Sequence, residues 1–87
     1  MNIYLDARAQ KKYKKLLKRD RHIAEKLDEA VSRFRENSKH PSLRIHKLSG
    51  KKEEAWSISA APDSRIIFVY VTDGILIVDI GSHDEVY

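Results

Sequence analysis

Three residues of this sequence carry side chains that suit acid–base and phosphate chemistry: His46, Arg65 and His83. An imidazole loses its proton near neutral pH, so two histidines can serve as a general base and a general acid. A guanidinium can stabilise a phosphorane with its forked donors. Such a set would suffice to cleave RNA, because the nucleophile, the ribose 2′-hydroxyl, is part of the substrate. Taken alone, however, the three residues are better explained as an exposed strand residue, a salt-bridge partner and a loop residue.

Other kinds of catalytic or cofactor site have no support in the sequence. Cysteine is absent, and no serine lies in a nucleophile-elbow motif. The three glycines are far apart, which excludes a glycine-rich phosphate loop. The histidines lack the spacing of a metal site; they are His22, His40, His46 and His83. We therefore expect no metal and no cofactor.

The basic residues are concentrated near the N-terminus. The chain has 17 lysines and arginines against 13 acidic residues, a formal charge of +4. Eight basic residues lie between Arg8 and Arg21, where Asp20 is the only acid, and most other acids lie in the second half of the chain. A one-sided basic surface suits a polyanion or an acidic protein partner. On charge alone, a solvated helix face is the better explanation.

Length and composition limit the class of protein. Eighty-seven residues predict a single domain spanning residues 1–87. The absence of cysteine fits a reducing compartment, and the longest apolar run, residues 66–71, is too short to cross a bilayer. No signal-peptide pattern is present, because Asp6 and Arg8 interrupt the N-terminus. The sequence therefore predicts a cytoplasmic protein without membrane contact.

The first half of the chain predicts a short strand followed by two amphipathic helices. Residues 3–5 are apolar, and Asp6 can cap the helix that follows them. Asp20 offers a second cap, and Asn37 is expected to end the second helix in a left-handed conformation. Apolar residues recur at helical spacing in both segments: Ala9, Tyr13, Leu16 and Leu17, then Ile23, Ala24, Leu27, Val31 and Phe34.

The second half of the chain predicts antiparallel strands. Four runs have the alternating or continuously apolar pattern of strands, at residues 43–48, 56–61, 66–71 and 75–80. Asp73-Gly74 indicates a two-residue hairpin turn, and Trp56 is expected to pack in the core. The predicted fold is α+β. An N-terminal strand and a two-helix hairpin pack on an antiparallel sheet of four to five strands.

Five segments occur in a distinctive order and spacing along the chain. They are the lysine-rich first helix, residues 46–50 (HKLSG), residues 56–58 (WSI), residues 65–68 (RIIF) and the ending, residues 80–87 (IGSHDEVY). With these segments the chain resembles the RelE/ParE toxin superfamily over essentially its whole length, and the ending is the most specific part. Within the superfamily it is similar to the ribosome-dependent ribonucleases, nearest to the YafQ and YoeB groups.

The resemblance implies a role for each candidate residue. At the position of His46 these groups carry the general base, and at that of His83 the general acid. At the position of Arg65 the YoeB group carries an arginine that contacts the scissile phosphate. Tyr87 matches a terminal aromatic residue implicated in stacking on, or orienting, a messenger base. The implied activity is metal-independent cleavage of messenger RNA on the ribosome, which inhibits translation.

The resemblance also implies partners. The ribosomal RNA and the messenger would meet a set of basic side chains, namely Lys11, Lys12, Lys14, Lys15, Lys18, Arg44 and Lys47. A cognate antitoxin would neutralise the chain. We expect a monomer when the chain is alone and a hetero-oligomer with the antitoxin.

The sequence also departs from the superfamily. Ser57 and Ser59 stand where RelE has lysines on the middle strand, and Ala60 stands where the YafQ group has a second catalytic histidine. The acid of that group matches Asp63 only if the turn is shifted. Three alternatives therefore stay open: a ParE-like inhibitor of DNA gyrase, an inactive relic that only binds its antitoxin, and a basic nucleic-acid-binding protein. The pair of histidines favours the enzyme.

Overall fold

A computed structural model describes residues 1–48 and 54–86 of the chain. In chain order the elements are β1 (Asn2–Leu5), α1 (Ala7–Arg19), α2 (Arg21–Glu36), a 3-10 helix (Pro41–Leu43), β2 (His46–Lys47), β3 (Ala55–Ala61), β4 (Ser64–Val71), β5 (Gly74–Gly81) and α3 (His83–Val86). The α+β class predicted from the sequence is confirmed. No helix in the described part of the chain combines the length and apolar composition needed to cross a membrane.

The five strands form one mixed sheet in the order β1-β5-β4-β3-β2. Three neighbouring pairs are antiparallel, as expected, but β1 runs parallel to β5. Tight turns force adjacent strands to be antiparallel, whereas β1 is separated from the other strands by both long helices. That connection leaves its direction free, so the N-terminal strand can pair in parallel at the edge.

The two long helices begin at the predicted caps. Asp6 Oδ1 accepts a hydrogen bond from the Ala9 amide at 2.8 Å, and Asp20 Oδ1 accepts one from the Ile23 amide at 3.2 Å. The predicted left-handed conformation of Asn37 is wrong, because its φ of −155° is extended. Its side-chain oxygen instead accepts from the Lys39 amide at 3.1 Å, which turns the chain away from the helix.

The main core lies between the helical hairpin and one face of the sheet. Phe34 of α2 packs edge-to-face on Phe68 of β4, with ring centroids 5.2 Å apart. Trp56 packs against this core, as predicted. The buried residues of the core are Ala9, Leu27, Ala30, Phe34, Leu43, Ile58, Ile66, Phe68, Ile75, Ile77 and Ile80. On the opposite face, a small cluster of Ala55, Ile67 and Val86 holds the short helix α3 against the sheet.

Two sequence predictions in the loops need correction. The strand predicted at residues 43–48 is reduced to His46–Lys47, because Leu43 belongs to the 3-10 helix and is fully buried. Arg44 then takes a left-handed φ of 47° before the strand begins. The predicted turn at Asp73-Gly74 lies one residue earlier, since Val71 pairs with Gly74 across the hairpin. Ser49 and Gly50 of the HKLSG segment lie outside the described residues.

The β4–β5 hairpin also anchors the N-terminus of the chain. Asp73 Oδ2 accepts hydrogen bonds from the Tyr4 hydroxyl at 2.7 Å and from Asn2 Nδ2 at 2.8 Å. These bonds hold the pKa of the Asp73 carboxyl below its usual range and raise the pKa of the Tyr4 hydroxyl. At Gly74 the backbone of Asn2 approaches so closely that a Cβ would overlap the Asn2 carbonyl group. The parallel pairing of β1 therefore requires glycine at position 74.

Gly74→Ala should destabilise the fold, because the new methyl group must displace the backbone of β1. Overpacking of this kind costs about 1–3 kcal/mol, which urea unfolding would measure. The control is Gly81→Ala, whose Cβ would lie 3.2 Å from Cβ of Glu85, near a flexible side chain. It should cost less, and equal losses in the two variants would contradict this account of β1.

Candidate active site

The strand register brings the candidate residues to the sheet face opposite the helical hairpin. Residues that pair directly across adjacent strands point to the same face. One row across β2, β3, β4 and β5 consists of His46, Ser57, Ile67 and Asp79. The next row consists of Ser59, Arg65 and Gly81. We call this surface, opposite the helical hairpin, the open face. Ile67 on it also belongs to the small cluster under α3.

His46 lies at the β2 edge of the open face, with an exposed side chain. Its Nδ1 atom is 3.1 Å from the carbonyl oxygen of Arg44, which the left-handed backbone of that residue presents to the ring. A carbonyl oxygen can only accept, so this bond requires a proton on Nδ1. In the neutral imidazole the lone pair is then on Nε2, the form that a general base needs.

Arg65 is held by the turn between β3 and β4. Its Nη1 donates to Ser59 Oγ at 2.9 Å and more weakly to the carbonyl oxygens of Ala61 and Ser64, both at 3.4 Å. Arg65 could instead be a salt-bridge partner, but within residues 1–48 and 54–86 the structure shows no ion pair between it and Asp63, the acidic residue two positions earlier. Among the described residues, the guanidinium is therefore oriented by neutral acceptors and pairs with no carboxylate.

His83 begins α3, just beyond the end of β5. Its side chain is 57% exposed, and Nδ1 lies 3.8 Å from a carboxylate oxygen of Asp84. Gly81, two residues earlier, pairs directly with Arg65. A cleft of about 290 Å³ also joins the β3–β4 turn to the segment around His83; it is lined by Leu16, Ile23, Asp63, Ser64, Ile80, Gly81, Ser82 and Glu85. Arg65 and His83 therefore lie at the same end of the open face.

His46 lies on the far side of the open face from this pair. Two strands separate β2 from β5, and three strand spacings of about 4.8 Å give a backbone separation of about 14 Å. The structure brings Arg65 near the segment of His83, whereas His46 lies on a strand two positions from that of Arg65. Tyr87, the fourth residue proposed from the resemblance, lies outside the described residues.

The serines that depart from the RelE pattern have two different environments. Ser57 is completely buried at the centre of the row that begins with His46. Ser59 is half-buried and lies between Arg65 and the turn, where its hydroxyl also donates to the Ala61 carbonyl oxygen at 3.2 Å. One serine is therefore part of the floor of the open face, and the other positions the guanidinium.

Asp79 lies on the open face and was not singled out from the sequence. Its side chain is only 8% exposed, and Oδ1 accepts from Lys12 Nζ at 2.5 Å and from the Ile80 amide at 2.9 Å. Arg8 lies 3.7 Å from the other carboxylate oxygen. A bulge causes this placement: Ile67 pairs with Asp79 and Phe68 with Ile77, so one residue of β5 is unpaired. An aspartate within the apolar run 75–80 was the available signal, since a buried charge requires a partner.

The proposed RNA-binding residues also fall into two groups. Lys12 is engaged by Asp79, and its side chain is 34% exposed. The other six are exposed to solvent: Lys11, Lys14, Lys15, Lys18, Arg44 and Lys47. In the described ranges 1–48 and 54–86, no group of three histidine, aspartate or glutamate side chains is arranged to hold a metal ion.

Replacing Lys12 should cost more stability than replacing its neighbour Lys11. Lys12→Met leaves the buried Asp79 carboxylate without its closest cation, and an unsatisfied buried acceptor costs about 1–3 kcal/mol. We expect the lower end of this range, because Lys12 is one-third exposed and Arg8 stays nearby. Lys11→Met removes the same charge from the exposed face of α1. If urea unfolding gives the same midpoint for both variants, Asp79 does not depend on Lys12.

Comparison with known proteins supplies the family. A family model described as "Bacterial toxin of type II toxin-antitoxin system, YafQ" matches residues 1–87. No curated protein matches the chain. Among solved structures, a YoeB/ParE toxin from Agrobacterium tumefaciens superposes with a TM-score of 0.82 at 14% identity, covering 95% of this chain and 99% of that one.

Two further structures have the same fold. A copper-bound mutant toxin from Helicobacter pylori gives a TM-score of 0.80 at 24% identity, over 100% of this chain and 99% of its own. A chain of the DinJ-YafQ complex from Escherichia coli gives 0.79 at 17% identity, over 99% and 97% respectively. The family match over every residue and the shared fold lead to one conclusion: the chain belongs to the YafQ family of toxins of type II toxin–antitoxin systems.

Proposed function

We propose that this toxin is a metal-independent endoribonuclease that cleaves messenger RNA on the ribosome and thereby inhibits translation. The observation that carries the proposal is the common location of His46, Arg65 and His83 on the open face of the sheet. The backbones of β2 and β5 lie about 14 Å apart, a distance at which side chains reaching from both sides could contact one ribose–phosphate unit.

The proposed reaction uses the ribose of the messenger as the nucleophile. Nε2 of His46 takes the proton from the 2′-hydroxyl, and the 2′-oxygen attacks the adjacent phosphorus. Arg65 stabilises the charge that develops on the non-bridging oxygens of the phosphorane. The bond from phosphorus to the 5′-oxygen then breaks, and His83 gives that oxygen a proton. The products are a 2′,3′-cyclic phosphate and a 5′-hydroxyl, so neither a metal ion nor an external nucleophile takes part.

The ribosome is proposed as the site of cleavage because of the exposed basic residues. Lys11, Lys14, Lys15 and Lys18 form an exposed surface on α1, and Arg44 and Lys47 flank His46. Contacts between such side chains and phosphates bind RNA without reading its sequence. They would therefore orient the toxin on ribosomal RNA, while the open face receives the messenger.

A cognate antitoxin is the proposed protein partner. Membership of a type II toxin family supports a protein neutraliser, and two of the similar structures are the YoeB-YefM toxin–antitoxin complex from Staphylococcus aureus and the DinJ-YafQ complex. We propose that an acidic or amphipathic segment of the antitoxin covers the helical hairpin, the edge of the open face, or both.

Expression of this chain alone should arrest growth, and co-expression of the antitoxin should restore it.

The decisive assay is cleavage of a messenger on purified ribosomes, with analysis of the ends produced. His46→Ala and His83→Ala should each slow cleavage by about 10²–10⁴, the usual range for loss of a general acid or base. The matched control is His22→Ala, which removes an exposed histidine on α2 and should cut at the wild-type rate. Chelation by EDTA should not stop the reaction as long as the ribosomes stay intact.

Two results would contradict the proposal. A 3′-hydroxyl product would exclude attack by the 2′-oxygen, and wild-type rates in both histidine variants would remove them from the mechanism. Accumulation of gyrase–DNA cleavage complexes with intact transcripts would instead place this toxin with the ParE-like inhibitors.

Tyr87 is proposed to stack on a messenger base. Stacking of one base on an aromatic ring contributes about 1–3 kcal/mol. Tyr87→Phe keeps the ring and should retain most activity, whereas Tyr87→Ala should lose about one to two orders of magnitude. Single-turnover cleavage and melting temperatures should be compared for both variants. Equal damage by Phe and Ala would assign the role to the hydroxyl, and unchanged cleavage by Tyr87→Ala would exclude stacking.

A further inference from the structure

The segment that carries His83 is closed by a reciprocal pair of hydrogen bonds. Ser82 Oγ accepts from the Glu85 amide at 3.3 Å, and Glu85 Oε1 accepts from the Ser82 amide at 3.0 Å. This is the capping box expected for the pattern S-x-x-E at residues 82–85. His83 lies between the two bonded residues, so the box encloses the backbone of the proposed general acid.

The capping box matters more here than in an ordinary helix, because α3 comprises four described residues, His83–Val86. A single helical turn is unfavourable by itself, since it orders several residues for few hydrogen bonds. The carbonyl oxygen of Ser82 accepts from the amides of Glu85 and Val86, both at 3.1 Å. At the other end, Val86 is 1% exposed and packs in the cluster with Ala55 and Ile67. The cap and this anchor together hold the turn on the open face.

Glu85 also contacts the part of the sheet that carries Arg65. A Cβ at Gly81 would lie 3.2 Å from Cβ of Glu85 and 3.3 Å from its carboxyl carbon, so the side chain lies directly over Gly81. Gly81 is the direct partner of Arg65 in the sheet. The Glu85 side chain therefore connects the turn that carries His83 with the end of β5 that pairs with Arg65, the proposed phosphate-binding residue.

The carboxylate of Glu85 is kept in its charged form. Hydrogen bonds from the Ser82 amide and from the Ser82 side chain hold the pKa of the Glu85 carboxyl below its usual range, and the ammonium group of Lys12 lowers it further, while Asp79 opposes the shift. A hydrogen bond to a charged acceptor is stronger than one to a neutral acceptor. The box is thus closed by a charged carboxylate at neutral pH.

We infer that Ser82 and Glu85 are positioning residues that hold His83 where it can protonate the departing 5′-oxygen. The inference rests on the proposed function, because it concerns the placement of the general acid in that reaction. Without the box, the turn frays and the imidazole samples positions away from the leaving group. Loss of alignment alone can reduce a rate by about 10–100-fold, even when every reacting group is present.

The test compares two messenger substrates on ribosomes in single-turnover cleavage at saturating enzyme. One is ordinary RNA, and in the other sulfur replaces the scissile 5′-oxygen, so that the leaving thiolate needs no proton. Glu85→Ala should cut the ordinary substrate about 10–100-fold more slowly than the wild type but the sulfur substrate at nearly the same rate. Glu85→Gln should restore the rate, because its amide oxygen can still accept from the Ser82 amide. Ser82→Ala should resemble Glu85→Ala.

The matched control is Asp84→Ala. It removes an exposed carboxylate from the same turn, one that lies 3.8 Å from the His83 ring and takes no part in the box. A rate close to that of the wild type would show that position, not negative charge, is what Glu85 supplies. Hydrogen exchange of the Ser82 amide gives a readout independent of activity, and it should speed up in Glu85→Ala but not in Asp84→Ala.

The outcomes separate this inference from the proposed function. If His83→Ala is impaired on ordinary RNA while Glu85→Ala cuts normally, the positioning role is wrong and the proposed function survives. Equal slowing of both substrates by Glu85→Ala would indicate general damage to the fold and would also overturn the inference. If the wild type cleaves neither substrate, the proposed function fails, and a role in positioning a general acid fails with it.

Discussion

The chain has two long helices, and they can bury only one of the two faces of its five-stranded sheet. The apolar residues of α1 and α2 meet Ile58, Ile66 and Phe68 on that face, where burial of apolar area supplies the main stabilisation. Among the described residues, the opposite face is covered by the short helix α3, and Arg8 and Lys12 of α1 reach Asp79 on it. This face can therefore carry polar and charged side chains without reducing the burial of the apolar core. Every described candidate residue of the active site lies on this face or at its edge.

The elements were predictable from the sequence because they depend on local patterns. Caps at Asp6 and Asp20 and the apolar periodicity of both helices are determined within a few residues. The wrong predictions, for Leu43 and for the direction of β1, have causes in contacts between residues far apart in the sequence. Leu43 looks like a strand residue, but it is buried against the helices in a 3-10 turn. The parallel direction of β1 depends on where the chain returns after both helices, which no local pattern records.

The candidate site was predictable as a set of residue types but not as a geometry. His46 and His83 could be singled out because imidazoles suit proton transfer at neutral pH. Their separation across the open face depends on the strand order, in which β2 and β5 are not neighbours. The place of Asp79 depends on a bulge in β5, and a shift of one residue would have turned its carboxylate away. The capping box around His83, by contrast, was predictable from the S-x-x-E pattern at residues 82–85.

The lysine-rich helix α1 serves two electrostatic roles that its sequence does not separate. Arg8 and Lys12 are four residues apart, on one side of the helix, and both reach the buried Asp79 of β5. Lys11, Lys14, Lys15 and Lys18 remain exposed to solvent. Asp79 therefore offsets one of the two positive charges on this side of the helix, whereas the charge on the outer side is available to a polyanion. The same ammonium group of Lys12 also favours the ionised form of Glu85. One helix thereby presents an exposed basic surface on its outer side and, on its inner side, contacts the end of β5 from which the turn of His83 continues.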